Sequence, residues 1–225
     1  MNILIIGSDV NFRECQQKFG KMHSFIMKQN QQEAELFFEK HDVIFDFCID
    51  RDPSQMKVYR DHTDVVAFLN TAKVNLYKLG IAVNQKIKCS LFGFAGLPTF
   101  LNRPILETSV YKLEEKSKLE DICKKLNTEF QIVEDWVGLV TPRVICMIIN
   151  EAYFTVEEGT ATREDIDLAM KLGTNYPYGP FEWAQKIGIR NVYEVLRAVY
   201  EDTKDERYKI CPLLRKESLL PIDSF

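Results

Sequence analysis

The stretch from Gly138 to Gly188 constrains the fold of this chain most strongly, because residue types that begin and end helices recur along it. Thr141 and Pro142 predict a helix start. The Thr hydroxyl can accept a backbone N–H, and Pro at the first helical position has no N–H to leave unbonded. From 143 to 158, apolar residues surround most of the helix axis, which is typical of a buried helix. We expect Gly159 to end this helix, the first of a compact helical domain.

Two further helices are predicted in the same stretch. Thr162 with Asp165 three residues later resembles a capping box and predicts a second helix that ends at Gly173. The loop 174–180, Thr-Asn-Tyr-Pro-Tyr-Gly-Pro, then leads into a short third helix that ends at Gly188. We expect no strand in this half of the chain.

A series of motifs in this half resembles, in order and spacing, the C-terminal domain of the 3-hydroxyacyl-CoA dehydrogenase family. The motifs are Asn150-Glu-Ala, Glu158-Gly, Asp165-Ile-Asp-x-Ala-Met-Lys-Leu-Gly173, Tyr178-Gly-Pro-Phe-Glu182 and Cys211-Pro-Leu-Leu-Arg215. The resemblance runs from about Trp136 to Arg215. It implies a 3-hydroxyacyl-CoA dehydrogenase-like protein of fatty-acid and acyl-CoA metabolism, which forms a homodimer through its helical domain.

Short apolar runs in the first half predict strands that alternate with helices. The predicted strands are Asn2–Ile6, Ser24–Met27, Asp42–Cys48, Val65–Leu69, Lys88–Gly93, Ile105–Val110 and Phe130–Val133, and the predicted helices are 10–20, 29–40 and 113–126. This alternation predicts an α/β fold with a doubly wound, largely parallel sheet.

The resemblance implies that this half is a shortened Rossmann-like dinucleotide-binding domain, because the family's helical insertion after the second strand is missing. The predicted domains are therefore 1–134, of the Rossmann-like type, and 135–216, all-helical. A loosely held tail, 217–225, is expected to follow.

The turn after the first strand is where a dinucleotide site would lie. Such a site needs three glycines, for a tight turn, for close approach of the backbone to the pyrophosphate, and for packing of helix on strand. Only Gly7 is present. Asp9 brings a carboxylate to the second glycine position, and Phe12 replaces the third. The candidate cofactor residues Gly7, Ser8 and Asp9 are thus degenerate, and no cofactor is expected, although the resemblance implies NAD.

The resemblance also implies a catalytic His, a Glu that orients it, and nearby Ser and Asn side chains. Three of these four positions are replaced: Phe94 stands for the His, Ala72 for the Ser and Pro142 for the Asn. A phenyl ring cannot accept a proton. Glu107 is the only retained catalytic candidate. The histidines of the chain are His23, His41 and His62, and each reads as a surface residue rather than a base.

Composition excludes several other classes of protein. The net charge is −4 and no basic cluster occurs, so nucleic acid is not an expected partner. The start, MNILIIG, has no basic region and too short an apolar run, so neither a signal peptide nor a membrane span is predicted. Six cysteines without paired spacing predict free, mostly buried thiols in a reducing cytoplasm, and no metal site.

Three functions stay open. The first is a family member that has lost or impaired NAD-dependent hydride transfer and binds an acyl-CoA or a partner protein. The second is an active NAD-dependent 3-hydroxyacyl-CoA dehydrogenase. The third is a purely structural subunit of a dimer. A homodimer is expected because the helix at 143–158 is apolar on more faces than a small domain can cover.

Overall fold

The computed structural model describes residues 1–83 and 86–220. The chain divides into two compact units, Met1–Val140 and Thr141–Phe225. The first unit is built on a sheet and the second on helices.

The sheet of the first unit has seven strands in the order β2-β1-β3-β4-β5-β6-β7. The strands are β1 (Asn2–Ile6), β2 (Ser24–Lys28), β3 (Val43–Asp46), β4 (Val66–Asn70), β5 (Ser90–Phe94), β6 (Ile105–Val110) and β7 (Glu129–Ile132). All neighbouring strands run parallel except β5 and β6. The predicted α/β class with a largely parallel sheet is confirmed.

Helices cover both faces of this sheet. They are α1 (Asp9–Phe19), α2 (Gln31–Glu35), α3 (Leu76–Val83) and α4 (Lys116–Lys125), with 3-10 segments at Phe38–Lys40, Pro53–Tyr59 and Leu113–Glu115. Because side chains alternate along a strand, the sheet contributes to two cores. One core packs on α2 and α3, and the other packs on α1 and α4.

The segment between β2 and β3 differs from the single predicted helix over 29–40. The Asn30 side chain caps α2 by accepting the Glu33 N–H at 3.0 Å, but α2 ends at Glu35 and only a 3-10 turn follows. The chain must cross β1 within this segment, since the Asp42 N–H already bonds the Asn2 carbonyl at 2.9 Å. A continuous helix would carry the chain past that point.

The second unit contains helices and no strand among its described residues, as predicted. Its helices are α5 (Thr141–Glu157), α6 (Arg163–Thr174), α7 (Pro180–Ile187), α8 (Ile189–Thr203) and α9 (Pro212–Ser218), with a 3-10 turn at Glu206–Tyr208. Thr162 caps α6 by accepting the Asp165 N–H at 3.2 Å, and Gly188 ends α7 at a φ of 87° that favours glycine. No helix in the described ranges is long and apolar enough to cross a membrane.

Two expectations for this unit need correction. Helix α6 passes the predicted end at Gly173 and stops where Asn175 takes a left-handed φ of 56°. The chain is also not loose from Glu217: this residue is 9% exposed, because its carboxylate accepts the Tyr153 hydroxyl at 2.9 Å and pairs with Arg163. The last predicted tail residues, 221–225, lie outside the described residues.

The cysteines match their predicted state. All six are free, and all except the half-buried Cys48 are buried. Desolvation raises the pKa of the Cys48 thiol to about 11 and that of Cys89 to about 12. These thiols therefore stay protonated and pack as small apolar side chains.

Candidate functional site

The turn after β1 contains the residues that the sequence assigned to a cofactor. The Asn11 side chain folds back onto this turn, where its Oδ1 accepts the Ser8 backbone N–H and the Ser8 hydroxyl, each at 2.9 Å. A Cβ at Gly7 would lie 2.7 Å from that Oδ1, closer than real Cβ contacts occur. The missing side chain of Gly7 thus leaves room for Asn11.

This filled turn does not fit the pyrophosphate of a dinucleotide. A pyrophosphate needs the space beside the glycine and free N–H groups at the start of the helix. Asn11 takes that space and the Ser8 N–H, and Asp9 adds a carboxylate to the first turn of α1. Phe12, at the third glycine position, packs edge-on against Phe25 with ring centroids 6.2 Å apart.

One buried amide, that of Asn70, joins the carboxyl ends of three strands. Its Oδ1 accepts the N–H groups of Ala72 at 3.2 Å and Gly96 at 2.9 Å, and its Nδ2 donates to the Phe47 carbonyl at 3.4 Å. Ala72, at the expected serine position, is fully buried. No local sequence pattern indicates this role of Asn70, because its partners lie up to 26 positions away.

Phe94 lies within β5 and not beyond its end. It is fully buried and packs edge-on against Phe45 and Phe47, with ring centroids 5.5 Å and 5.0 Å away. Residues 95–98, Ala-Gly-Leu-Pro, are the ones that follow the strand, and none of them has a titratable side chain. The prediction that no base follows this strand therefore does not depend on which residue is aligned with the His.

The sheet brings the Ala72, Phe94 and Glu107 positions to neighbouring strand ends. The end of β4 donates an N–H to the Phe94 carbonyl at 2.9 Å, and Phe94 pairs with Thr108, next to Glu107. The Glu107 carboxylate accepts the backbone N–H of Val140. The carboxylate of Glu107 therefore bonds the backbone of the last residue of the first unit, and not the imidazole that the family resemblance implies.

The histidines lie at the opposite edge of the sheet. His23, His41 and His62 precede β2, β3 and β4, so they belong to the amino ends of those strands. The His41 Nδ1 contacts the Phe37 carbonyl at 2.7 Å, and the His62 ring lies 3.7 Å and 3.5 Å from carboxylate oxygens of two glutamates. In parallel α/β sheets, ligands bind at the carboxyl ends of the strands, so no histidine stands at the site.

The loop after β5 is held against α1 by side chains that the sequence analysis did not single out. Glu14 Oε1 accepts the N–H groups of Leu101 and Asn102, both at 3.2 Å, and Lys18 Nζ donates to the Pro104 carbonyl at 3.1 Å. Burial raises the pKa of the Glu14 carboxyl, although the loop N–H groups act in the opposite direction. The partners are 87 and 88 positions from Glu14, so no local pattern could have found them.

Asp46, at the end of β3, is a second buried carboxyl without a signal in the sequence. It accepts the N–H groups of Cys48 at 2.8 Å and Ile49 at 3.0 Å, the Tyr59 hydroxyl at 2.8 Å, and the Gln31 side-chain amide. Complete burial raises the pKa of Asp46 to about 6, against the opposing effect of these bonds. The carboxyl joins α2, β3 and the 3-10 segment before β4.

Asp135 closes the start of α3. Its carboxylate accepts the N–H groups of Leu76 and Tyr77 and the Ser109 hydroxyl, all at 3.0 Å. Free N–H groups at a helix start would otherwise attract an anion. Backbone N–H groups at the starts of both α1 and α3 are therefore bonded to side chains of the protein, those of Asn11 and Asp135.

In the helical unit, the expected asparagine position is Pro142 in the first turn of α5. Pro142 is buried and has neither a side-chain amide nor a backbone N–H to offer a substrate. The loop 174–180 carries Tyr176 and Tyr178, whose rings pack edge-on against Trp183 at centroid distances of 5.8 Å and 6.2 Å. The loop thus connects α6 to α7, and its two tyrosine rings pack on Trp183 of α7.

The helical unit also contains a cavity of about 890 Å³. Glu217, Tyr153 and Arg163 lie in its lining, joined by the bonds given above, and the Arg163 guanidinium is 5.2 Å and 5.0 Å from the ring centroids of Tyr153 and Phe181. Apolar walls come from Phe181, Ala184, Ile189, Leu219 and Leu220. The cavity combines apolar surface with the Arg163–Glu217 ion pair and three further charged residues, Glu164, Asp167 and Arg190.

Comparison with known proteins shows which family the helical unit resembles. Residues 138–219 match the C-terminal domain of 3-hydroxyacyl-CoA dehydrogenase. The chain is 38% identical over 112 residues to the 3-hydroxyadipyl-CoA dehydrogenase of Escherichia coli K12, a match that covers 50% of this chain and 22% of that protein. It is 25% identical over 188 residues to the 3-hydroxybutyryl-CoA dehydrogenase of Bradyrhizobium diazoefficiens, covering 78% and 62%. The helical unit therefore resembles the C-terminal domain of the 3-hydroxyacyl-CoA dehydrogenase family, and parts of the chain are similar in sequence to dehydrogenases of that family.

Solved structures extend the likeness to the whole fold. The crystal structure of M. tuberculosis FadB2 superposes with a TM-score of 0.73 over 95% of this chain and 92% of that one, at 15% identity. The (S)-3-hydroxybutyryl-CoA dehydrogenase PaaH1 from Ralstonia eutropha gives 0.68 over 96% and 92%, at 18% identity. The matched curated relatives above are covered over less than two thirds of their length. The family model matches the helical unit, the longer sequence matches extend into the sheet unit, and the likeness to these solved structures is one of fold.

Proposed function

We propose that this chain is a non-catalytic member of the 3-hydroxyacyl-CoA dehydrogenase family, which has lost NAD-dependent hydride transfer and binds an acyl-CoA or a partner protein. One observation carries the proposal: Asn11 fills the turn after β1 and bonds the Ser8 N–H. A hydride donor that cannot dock cannot meet a substrate. Fold likeness alone does not restore the activity, because function depends on the site.

The replaced catalytic positions support the same proposal. Proton abstraction from a hydroxyl group needs a base within hydrogen-bond reach. Residues 95–98 provide none, Ala72 has no hydroxyl, and Pro142 has no amide. Glu107 remains, but its carboxylate already accepts the N–H of Val140.

The helical unit supports the retained binding role. It is the part that matches the family domain, and its cavity of about 890 Å³ falls within the range of small-molecule sites. An acyl-CoA would use the apolar walls for its chain. The homodimer and the cytoplasmic location, the latter suggested by six free cysteines, belong to this proposal.

Thermal unfolding with three ligands tests the proposal. A ligand that binds the folded state alone raises the midpoint of unfolding. We expect no shift with NADH and a concentration-dependent shift with acetoacetyl-CoA or free CoA. A shift of the unfolding midpoint with about 100 μM NADH, a concentration within the usual range of KM values, contradicts the proposed loss of the cofactor site.

The alternatives give different outcomes in the same experiment. An active NAD-dependent 3-hydroxyacyl-CoA dehydrogenase binds NADH and acetoacetyl-CoA together. For a purely structural dimer subunit, no ligand shifts the midpoint of unfolding, and the midpoint depends only on protein concentration. The filled turn argues against the first alternative, and the cavity in the helical unit argues against the second.

A further inference from the structure

Strand β2 forms one edge of the sheet, and that edge is open. Within the described part of the chain, β2 pairs with β1 alone. The Ser24 N–H and the Lys28 carbonyl are bonded to the β1 side, at Met1 and Gly7. Because the groups of successive residues alternate in direction along a strand, Phe25 and Met27 direct their backbone groups to the open side.

The strand also lacks the features that protect an edge. Natural edge strands are blunted by proline, by charged side chains within the strand, or by cover from another element. The sequence of β2 is Ser-Phe-Ile-Met-Lys, with its one charge at the last position. Ile26 is 40% exposed in the middle of the strand, and Met22 just before it is 94% exposed.

The groove beside this edge is cationic. A depression of about 470 Å³ is lined by Arg13, Gln16 and Gln17 of α1, by Gly20 and Lys21, and by His23 and Phe25. Arg13 and Lys21 are exposed, and the lining includes no carboxylate. The depression at the opposite edge, beside β7, mixes lysines with Glu120 and Glu129, so the positive charge is particular to β2.

We propose that the β2 edge binds an extended acidic segment of another protein, which adds to the sheet as a strand. Its backbone bonds the open groups of Phe25 and Met27, which is the usual mode of strand addition. Its carboxylates face Arg13 and Lys21, and its apolar side chains cover Ile26. A second copy of this chain is a poorer occupant, because pairing β2 with β2 would bring two sets of these cations together.

A fluorescent ten-residue peptide of alternating Glu and Val is the probe, with polarisation as the measurement. We expect saturable binding, weakened about tenfold in the double variant Arg13→Glu/Lys21→Glu, because two attractive charge contacts are replaced by repulsive ones. The control Lys116→Glu/Lys125→Glu makes the same charge change on exposed α4 residues. It should bind the peptide like wild type at equal thermal stability.

Two further measurements separate strand addition from simple charge attraction. A peptide with alternate backbone N-methyl groups keeps its charges but cannot pair, and it should not bind. Amide hydrogen exchange at Phe25 and Met27 should slow with the parent peptide. Equal binding of the N-methylated peptide overturns the proposal, and so does absence of binding up to about 1 mM, the limit of weak specific affinity. Protection of the Phe25 and Met27 amides in a wild-type dimer without peptide also overturns it, because a second copy would then occupy the edge.

Discussion

At the scale of single residues, Gly7 and Asn11 depend on each other, because the missing side chain of Gly7 leaves the space that the Asn11 side chain occupies. The Asn11 Oδ1 lies 2.7 Å from where a Cβ at Gly7 would be, and it accepts both the backbone N–H and the hydroxyl of Ser8. In a dinucleotide site a glycine at this position allows the tight turn, and the backbone approaches the pyrophosphate at the next glycine position, where this chain has Asp9.

This coupling predicts a non-additive pair of substitutions. Gly7→Ala should lower the free energy of unfolding by about 1–3 kcal/mol, as overpacking does. The same change in an Asn11→Ala background should have a smaller effect, because the Oδ1 at 2.7 Å and the Cγ at 3.1 Å are gone and only the Cβ at 3.1 Å remains. Urea unfolding of the four proteins measures the coupling. Equal effects of Gly7→Ala in both backgrounds would show that Asn11 does not fill the turn.

Asp46 predicts a specific dependence of stability on pH. Burial raises its pKa from 3.8 to about 6, so the folded state holds this proton more tightly than the unfolded state. The free energy of unfolding due to this group therefore rises as pH falls from about 6 towards 3.8, by at most about 3 kcal/mol. It is constant above and below that window.

The matched variant is Asp46→Asn, which has the same shape and no proton to gain. The difference in unfolding free energy between wild type and this variant should shift in favour of wild type as pH drops from 7 to 4. Chemical denaturation across that range provides the values. A difference that is flat with pH would mean that the carboxyl is not desolvated as described.

At the scale of elements, the fold was predictable where apolar runs coincide with complete burial. Strand β1 was predicted at Asn2–Ile6 and is found there, because helices cover both of its faces and strands flank both of its sides. The structure of the segment 29–40 was not predicted correctly. Its apolar residues are compatible with one helix, but the length of α2 is limited by the crossover of the chain over β1. Local pattern describes burial well and describes long-range geometry poorly.

The candidate site divides in the same way. The missing glycines and the missing base follow from residue identity alone, so the sequence predicted a degenerate site at Gly7, Ser8 and Asp9. The hydrogen bonds within the site do not follow from residue identity. Asp135, for example, accepts N–H groups of α3 from residues 58 and 59 positions away in the sequence. Contacts of that separation depend on the folded sheet and leave no periodic signal.

The role of Asp135 as the cap of α3 can be measured. Asp135→Ala removes the acceptor of the Leu76 and Tyr77 N–H groups and of the Ser109 hydroxyl. We expect a loss of about 2 kcal/mol, at the upper end of the range for helix caps. Faster amide exchange should be confined first to α3. Asp121→Ala, on the exposed surface of α4, is the control and should be close to neutral.

At the scale of the whole molecule, the predicted homodimer concerns the helical unit. Helix α5 buries one face within this unit but leaves Val144 50% exposed, and Leu168 and Leu172 of α6 are 53% and 77% exposed. Apolar surface of this kind on a helical domain is typical of an interface. We therefore keep the homodimer through this unit as a prediction.

Sedimentation of wild type and one variant tests it. We expect wild type to sediment as a dimer of the 26.2 kDa chain at micromolar concentration, and Val144→Glu to shift it towards monomer. Leu113→Glu, which changes a 73% exposed residue of the first unit, should leave the dimer intact. A wild-type particle of 26 kDa would end this prediction.

The central proposal for the whole molecule is that this chain does not transfer hydride. The direct measurement follows NADH absorbance with acetoacetyl-CoA at high protein concentration, with the 3-hydroxybutyryl-CoA dehydrogenase of Bradyrhizobium diazoefficiens as the positive control for the reagents. Loss of a general base alone commonly lowers the rate by about 10² to 10⁴, and in our proposal the filled turn also prevents the cofactor from binding. We predict no turnover above background. A rate above about 1 s⁻¹, the low end for ordinary enzymes, would contradict the account.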